Sequence, residues 1–299
     1  MVFSTSVDEF REVLRHSENI IVVAGAGLSA ASGLSTFREK GGLWRTLDTS
    51  SLATPSTFRS DPSLVWQFYH HRRVQALQAS PNAAHRALAR LAIPSFLKTL
   101  APAASSYHLI TQNVDRLSVK AIMDLTNQST LNRAKYDSEN VRLDSVIEMH
   151  GRLFDVQCTS CGHCEEDLSN PLCPALGRAE ELYNSDSTQS SDIKPESIAV
   201  ETLPRCHQCG ELARPGVVWF DEKSQRLDEI NNLVQRADLC LVVGTSSTVR
   251  PASGYAYRVQ RHRGIVAVFN IEPAPGDARA DFVFKGPCEV ELPKVLGIT

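Results

Sequence analysis

Two pairs of cysteines have the spacing of a metal site. Cys158 and Cys161 form one Cys-x-x-Cys knuckle, and Cys206 and Cys209 form a second. Four thiolates in this arrangement hold zinc tetrahedrally and leave no open position, so we expect one structural zinc ion and not a catalytic one. The alternative is a set of redox-active or unrelated thiols. Other side chains nearby could compete as ligands: Cys164, His163 and His207.

A glycine-rich turn follows the apolar run Ile20–Ala24. It reads Gly25-Ala26-Gly27-Leu28-Ser29-Ala30, a GxGxxA variant of the dinucleotide fingerprint. Glycines at such a junction let backbone N–H groups approach a pyrophosphate, although any tight strand–helix turn can use two glycines. The acidic residue that ends a second strand in ordinary dehydrogenases has no counterpart, because residues 36–42 lack a strand pattern. A hydride-transfer enzyme of the Rossmann type is therefore disfavoured.

The elements that must position these residues alternate between strands and helices. Helical patterns at Ser63–Ala79 and Asn82–Leu91 lie between continuous apolar runs, which are typical of strands buried on both faces of a parallel sheet. The predicted strands are Ile20–Ala24, Tyr107–Thr111, Ser145–Glu148, Leu239–Val243, Ile265–Phe269 and, more weakly, Phe282–Phe284. The alternation predicts an α/β fold with a Rossmann-type doubly wound parallel sheet.

The stretch from about Arg152 to Val217 interrupts this alternation. It holds the four knuckle cysteines and a polar run at 184–201, so we expect a small inserted zinc-binding module with a mobile loop. The predicted nucleotide-binding domain comprises residues 1–151 and 215–299, and the module comprises 152–214, joined by a helical part at about 38–80. A second polar piece, 126–140, predicts an irregular surface insertion.

Composition and charge exclude several classes of protein. Hydrophobic residues make up 42% and charged residues 22% of the 299 residues, which is typical of a globular protein. The formal net charge of −3 gives no global positive field for nucleic acid or an anionic membrane. No apolar run has the length of a membrane span. The start of the chain lacks a secretion signal and is acidic, which favours the cytoplasm and leaves mitochondria and the nucleus open.

In their order and combination, these motifs resemble the sirtuins, a family of NAD-dependent protein-lysine deacylases. Further segments carry the resemblance: Phe37-Arg38, Thr111-Gln112-Asn113-Val114-Asp115, His150-Gly151, Pro215-Gly216-Val217-Val218-Trp219-Phe220, Gly244-Thr245-Ser246-Ser247, and Asn270 with Glu272. The matches extend over nearly the whole chain. The resemblance implies a cleft between a Rossmann domain and a zinc domain that holds NAD and an acylated lysine. It implies nicotinamide, deacylated lysine and 2′-O-acyl-ADP-ribose as products.

The resemblance also implies roles for individual residues. His150 would be the general base on a ribose hydroxyl, which suits imidazole because its unperturbed pKa lies near neutral pH. Without the other motifs, a hydrogen-bonded structural histidine would be the simpler interpretation, and His85 and His108 lack comparable context. The implied cofactor-binding residues are Gly25, Ala26, Gly27, Ser29, Ala30, Phe37, Arg38, Gln112, Asn113, Asp115, Gly244, Thr245, Ser246, Asn270, Glu272 and Cys288. The substrate peptide would bind along Val218, Trp219 and Phe220.

The predicted helix Ser63–Ala79 carries a pair of side chains that suits a carboxylate. Tyr69 and Arg72 are three residues apart and share a helix face, so a phenol donor lies beside a bidentate guanidinium fork. This pair resembles the class III sirtuins, the sirtuin-5 type, which remove succinyl, malonyl and glutaryl groups. An acetyl group has no carboxylate to match the pair. The alternative is a solvated helix face on which the two residues happen to be neighbours.

The sequence departs from the family in three places, one of which is Arg250, where an aromatic residue is common. The family usually continues the Gln-Asn-x-Asp segment with Leu-His and then Ala-Gly, whereas this chain reads Leu117-Ser118-Val119-Lys120-Ala121-Ile122. The family usually has glycine before Glu222, where this chain has Asp221. An ordinary sirtuin-fold deacetylase and a non-catalytic module that binds NAD, ADP-ribose or acyl-lysine therefore remain alternatives. We expect a monomer that acts on acylated lysine side chains of proteins and binds neither nucleic acid nor membranes.

Overall fold

The computed structural model describes residues 3–36, 43–44, 47–131, 141–185, 195–272 and 279–298. Two predicted cofactor residues, Phe37 and Arg38, lie outside the described residues, as do most of the polar piece 126–140 and half of the polar run 184–201. The chain divides into two compact units. Unit 1 comprises Met1–Leu34, Ser80–Met149 and Arg226–Thr299, and unit 2 comprises Ser35–Ala79 and His150–Gln225.

Among the described residues, strands and helices mostly alternate from Ser106 onward, whereas residues 49–100 form consecutive helices. The strands, in chain order, are β1 Asn19–Ala24, β2 Leu43–Trp44, β3 Leu47–Asp48, β4 Ser106–Thr111, β5 Val146–Glu148, β6 Gly151–Cys158, β7 Cys164–Glu166, β8 Ala213–Val217, β9 Leu239–Val243, β10 Ile265–Asn270 and β11 Phe282–Lys285. The helices are α1 Val7–His16, α2 Thr49–Leu52, α3 Pro55–Ser60, α4 Pro62–Gln78, α5 Ala83–Leu91, α6 Pro94–Leu100, α7 Leu117–Leu131, α8 Pro174–Ser185, α9 Leu227–Arg236, α10 Tyr255–Arg261 and α11 Cys288–Leu296.

Unit 1 contains a parallel sheet of six strands in the order β11-β10-β9-β1-β4-β5. All five residues of β9 are buried, and separate apolar clusters cover the two faces of the sheet. On one face Phe10 of α1 packs edge-on against Phe269, Phe282 and Phe284. The prediction of a doubly wound parallel sheet from continuous apolar runs is therefore confirmed, because strands buried on both faces need no polar alternation.

One predicted loop begins as helix. The polar piece that was predicted to be irregular from residue 126 continues α7 as far as Leu131. Leu117, Ala121 and Ile122 are buried on the inner face of α7, and the Thr126 hydroxyl donates to the Ile122 carbonyl one turn earlier. Polar residues therefore extend a helix whose packing is already secured by its first two turns.

Unit 2 contains a three-stranded antiparallel sheet in the order β7-β6-β8, together with α2, α3, α4 and α8. The long helix α4 begins at Pro62, where the Asp61 carboxylate accepts the Leu64 N–H. It is joined to the sheet by buried polar contacts. Trp66 Nε1 donates to the Ala213 carbonyl at 2.8 Å, and Arg73 donates to the Leu153 carbonyl at 2.9 Å. No helix within the described residues is both long and apolar enough to traverse a bilayer.

Candidate active site

The glycine turn after β1 is packed backbone against backbone. The Gly27 N–H donates to the Gly244 carbonyl at 2.7 Å, and a Cβ at Gly27 would lie 2.8 Å from the Gly244 Cα. A Cβ at Gly25 would lie 2.7 Å from the Thr245 Cβ. Gly244 itself has φ +59°, and a Cβ there would lie 2.3 Å from the Leu28 nitrogen. The close contact between the ends of β1 and β9 therefore requires glycine at these positions, whether or not a phosphate also approaches the turn.

A hydrogen-bonded cluster lies where β1 and β4 end. The Ser29 hydroxyl donates to Asp115 Oδ2 at 2.7 Å and accepts from Asn113 Nδ2 at 3.1 Å. Asn113 Nδ2 also lies 3.0 Å from the Gly25 carbonyl, and Gln112 Nε2 donates to the Thr245 hydroxyl at 3.0 Å. The predicted residues of these two segments are thus brought together in unit 1, at the edge where ligands bind in open α/β sheets.

His85 also belongs to this cluster, which the sequence interpretation missed. Its Nδ1 accepts the Asn82 N–H at 3.4 Å, so Nε2 carries the proton and faces the Ser29 hydroxyl at 3.4 Å. Burial, with a smaller contribution from Arg86, lowers the pKa of His85 to about 3, so the ring is neutral. The available signal was the capping box at the start of α5, in which Asn82 and His85 cap each other.

A second group of predicted residues lies where β9 and β10 end. Asn270 Nδ2 donates to the Thr245 carbonyl at 3.0 Å, and the Gly244 N–H donates to the Phe269 carbonyl at 3.0 Å. The buried Cys288 thiol, at the start of α11, lies 3.4 Å from the same Phe269 carbonyl. Four other predicted cofactor-binding residues belong to the segments that follow β1, β9 and β10, and they are less buried. Ala26 and Ser246 are half-buried, and Ala30 and Glu272 are exposed.

His150 is the second of the two residues, Met149 and His150, that connect β5 to β6. It is half-buried, and its carbonyl accepts the Val218 N–H at 2.7 Å. Gly151 follows with φ +77°, and a Cβ there would lie 2.4 Å from the Gly216 carbonyl oxygen. Only glycine fits this position, so the backbone on the carboxyl side of His150 is fixed by steric exclusion. Packing therefore explains why glycine follows His150, in addition to the catalytic role expected of His150.

The pair on α4 does not lie on a solvated helix face. Tyr69 is 6% exposed, Arg72 is half-buried, and the Arg72 guanidinium lies 5.8 Å above the Phe68 ring. Burial raises the pKa of Tyr69 to about 12, although the positive charge of Arg72 opposes this shift. The phenol therefore keeps its proton at any physiological pH. Unit 2 thus presents a neutral donor and a fixed cation within one helix turn.

The segment after β8 uses its N–H groups inside unit 2. Val218 N–H donates to the His150 carbonyl, Trp219 N–H to Glu222 Oε2 at 2.8 Å, and Phe220 N–H to the Ala53 carbonyl at 2.9 Å. The next residue, Asp221, has φ +70°. Glycine is favoured in this left-handed region and Asp tolerates it better than most residues, which accounts for the departure noted in the sequence.

The four predicted zinc ligands converge. Their sulfur atoms all lie within 4.8 Å of one another, with 3.4 Å between Cys158 and Cys209 and 3.6 Å between Cys161 and Cys206. Tetrahedral zinc with bonds of about 2.3 Å needs sulfurs about 3.8 Å apart, so the set fits zinc. Among the described residues, the possible competitors lie outside this group. Cys164 lies 3.9 Å from Asp155, and His163 and His207 pair with Glu165 at 3.5 and 2.7 Å.

Comparison with known proteins gives a consistent result. The Sir2 family matches residues 25–130 and 138–251. A Daphnia pulex protein named NAD-dependent protein deacylase is 40% identical over 298 residues, covering 98% of this chain and 97% of its own. The dog protein named NAD-dependent protein deacylase sirtuin-5, mitochondrial, is 39% identical over 98% of this chain and 86% of its own. The crystal structure of a Sir2 homologue–NAD complex superposes with a TM-score of 0.74 at 30% identity, covering 99% of this chain and 95% of the other.

Proposed function

We propose that this chain, which belongs to the Sir2 family and is an NAD-dependent protein deacylase, removes lysine acyl groups that end in a carboxylate. Succinyl, malonyl and glutaryl groups are the substrates of this class. The observation that carries the proposal is the buried Tyr69 phenol one helix turn from Arg72. The products are nicotinamide, the free lysine and 2′-O-acyl-ADP-ribose.

The pair on α4 suits an acyl carboxylate for electrostatic reasons. Arg72 supplies a permanent positive charge and parallel N–H groups, which match the two oxygens of a carboxylate. The protonated Tyr69 supplies one further donor and no competing negative charge. An acetyl group has no carboxylate to accept from these donors, so it would gain none of this binding, and a site built to hydrogen-bond a substrate group discriminates against the analogue that lacks it.

The residues of unit 1 fit NAD. The cluster of Ser29, Asn113 and Asp115 offers amide, hydroxyl and carboxylate groups for ribose hydroxyls and a carboxamide, and Thr245 and Asn270 form a second polar group at the same edge. When bound, NAD supplies the ribose carbon that the acyl oxygen attacks and the nicotinamide that leaves. His150 then takes a proton on its imidazole, which is the side chain suited to that transfer near neutral pH.

Zinc would hold unit 2 together without entering the reaction. Cys158, Cys161, Cys206 and Cys209 occupy all four tetrahedral positions and leave none for water or substrate. The substrate main chain would lie along Val218, Trp219 and Phe220. Because the N–H groups of these residues are used inside unit 2, a peptide strand added there would donate its own N–H groups to the carbonyls of Val218 and Phe220.

The organisation and location of the protein complete the proposal. Unit 1 would be the nucleotide-binding domain, and unit 2 would be the zinc domain together with the helical residues 47–79. The chain would work as a monomer on acylated lysine side chains of other proteins. The chain would act in the cytoplasm or the mitochondrion, and the sirtuin-5 relatives are named as mitochondrial proteins.

The test compares acyl groups in one NAD-dependent assay of nicotinamide release. In Arg72→Met, we expect kcat/KM for a succinyl-lysine peptide to fall roughly 100-fold or more, because a charged partner is lost from a partly buried pair. Weak activity on the acetyl-lysine peptide should remain. Arg59→Met is the matched control, since Arg59 is an exposed arginine of α3 in the same unit.

Three results would contradict the proposal. Equal loss on both peptides in Arg72→Met would remove the carboxylate role. A wild-type enzyme that prefers acetyl-lysine would favour the ordinary deacetylase. Binding of NAD with no peptide-dependent nicotinamide release from any acyl peptide would favour the non-catalytic module.

A further inference from the structure

Three side chains of unit 2 form a connected set that ends on the Tyr69 hydroxyl. Arg214 donates to both carboxylate oxygens of Glu222, at 2.6 and 2.9 Å. Its guanidinium carbon also lies 3.5 Å from the centre of the Trp219 ring. The indole Nε1 of Trp219 donates to the Tyr69 Oη at 3.1 Å. Residues from β8, from the turn after it and from α4 are thereby linked.

Glu222 and Arg214 fix the position of the indole. The Trp219 N–H donates to Glu222 Oε2 at 2.8 Å, and the Glu222 N–H donates back to the Trp219 carbonyl at 3.1 Å. One face of the indole lies under the guanidinium, and the ring also packs against Phe58 with centroids 5.2 Å apart. Trp219 is 3% exposed, so the direction of its N–H is set by backbone, charge and packing together.

The direction of the hydrogen bond between Trp219 and Tyr69 leaves the phenol hydroxyl as a donor to another group. An indole N–H only donates, so the Tyr69 oxygen must accept, and the hydroxyl proton of Tyr69 points to a different partner. The phenol holds this proton because burial raises its pKa to about 12. A carboxylate only accepts hydrogen bonds, so it needs a hydroxyl that is committed to donating.

We propose that Trp219, held by Arg214 and Glu222, is the positioning residue that commits the Tyr69 hydroxyl to donate to the acyl carboxylate. This inference rests on the proposed function, since it concerns the same acyl site. It assigns a role in acyl selectivity to Arg214 and Glu222, through Trp219 and Tyr69. An acyl group without a carboxylate gains nothing from the set.

The first test removes the indole N–H and keeps an aromatic ring. In Trp219→Phe, we expect KM for the succinyl-lysine peptide to rise about 3- to 10-fold, the range that one hydrogen bond supplies. The KM for the acetyl-lysine peptide should rise by a smaller factor, because only the succinyl group can accept the hydrogen bond from Tyr69, so the ratio of the two KM values should change. Trp66→Phe is the matched control, because it removes another buried indole N–H of unit 2, one that donates to a backbone carbonyl. It should leave the ratio of the two KM values unchanged.

A second test asks whether Trp219 acts through the phenol. In a Tyr69→Phe background, Trp219→Phe should add nothing further to the succinyl KM. Arg214→Lys, which keeps the charge but loses the fork and the stacking, should raise the same KM by a smaller factor. This variant keeps the inference testable if Trp219→Phe does not fold, which thermal melting would reveal.

The outcomes distinguish the positioning role of Trp219 from the proposed preference for acyl groups that end in a carboxylate. If Trp219→Phe changes both substrates equally, or keeps its full effect without the Tyr69 hydroxyl, the positioning role is wrong. If Tyr69→Phe and Arg72→Met leave the preference between succinyl and acetyl peptides unchanged, the proposed function itself fails. If those two variants lower the preference and Trp219→Phe does not, only the positioning role fails.

Discussion

The polar cluster of unit 1 and the Tyr69–Arg72 pair of unit 2, proposed to bind the acyl carboxylate, are positioned in different ways. In unit 1, Ser29, Asn113 and Asp115 follow directly from the ends of β1 and β4, and close backbone contacts at the glycines fix their strands. In unit 2, Tyr69 and Arg72 belong to a helix whose placement depends on hydrogen bonds between its side chains and residues far away in sequence. The first region is fixed mainly by backbone contacts between strand ends, and the second by hydrogen bonds of side chains.

The difference predicts which variants affect every substrate and which affect only some. A group that holds the cofactor serves each acyl substrate in the same way, so its loss should not change selectivity. A group that meets the acyl tail changes selectivity first. The folding of unit 2 should also respond more strongly to loss of its metal ligands and to acid than the folding of unit 1.

The largest effect is expected from the metal site. Replacing Cys206 by Ser should lower the zinc content from one ion per chain toward zero and unfold unit 2, because binding of a structural zinc contributes several kcal/mol or more to folding. Zinc content and tryptophan fluorescence measure this, since Trp44, Trp66 and Trp219 all belong to unit 2. Cys164→Ser is the matched control and should keep the full zinc content. Equal zinc loss in both variants would show that the ligand set is wrong.

The second effect concerns the polar cluster of unit 1, which we propose binds the cofactor. Asn113→Ala removes the donor to the Ser29 hydroxyl and to the Gly25 carbonyl. We expect kcat/KM to fall about 100-fold or more, the loss typical of one preorganised donor, and to fall equally for succinyl and acetyl peptides. Steady-state assays on both peptides check this. A change in the ratio between the two peptides would contradict the separation of roles between the units.

The cluster in unit 1 was also the more predictable region. Gln112, Asn113 and Asp115 end a continuous apolar run, and the carboxyl ends of parallel strands meet at one edge, so sequence alone places them near the glycine turn. His85 was missed because its capping box with Asn82 indicates only the start of a helix and does not point to the Ser29 hydroxyl, 56 residues earlier. The bond between Trp219 and Tyr69 joins residues 150 positions apart, and no local pattern indicates it.

The third effect tests the backbone packing of unit 1. In Gly27→Ala, the new Cβ would lie 2.8 Å from both the Cα and the carbonyl oxygen of Gly244, neither of which can move aside like a flexible side chain. We expect a loss of about 1–3 kcal/mol in the free energy of unfolding, as for overpacked interiors. Chemical denaturation followed by far-UV circular dichroism measures it. Gly254→Ala, where no atom lies within 4 Å of the added Cβ, is the control and should cost much less.

The smallest expected effect is a pH dependence of the stability of unit 2. Glu180 of α8 accepts a hydrogen bond from His71 Nδ1 at 2.9 Å. Burial raises the pKa of Glu180, but the hydrogen bond and charge of His71 outweigh burial, so the folded pKa lies below the ordinary value. The pair therefore stabilises unit 2 above the unfolded pKa of about 4.3, and this contribution is lost as pH falls through the folded pKa.

Glu180→Gln isolates that contribution. At pH 7 the variant should be less stable than wild type by about 1 kcal/mol or less, and the difference should shrink as the pH is lowered below about 4. Tryptophan fluorescence in urea reports it, because every tryptophan of the chain lies in unit 2. Any acid-induced loss of zinc is shared by wild type and variant and cancels in the comparison. The exposed neighbour Glu181→Gln should match wild type at both pH values. A difference for Glu180→Gln that stays constant with pH would mean that the amide disturbs packing, and that charge does not hold α8 to α4.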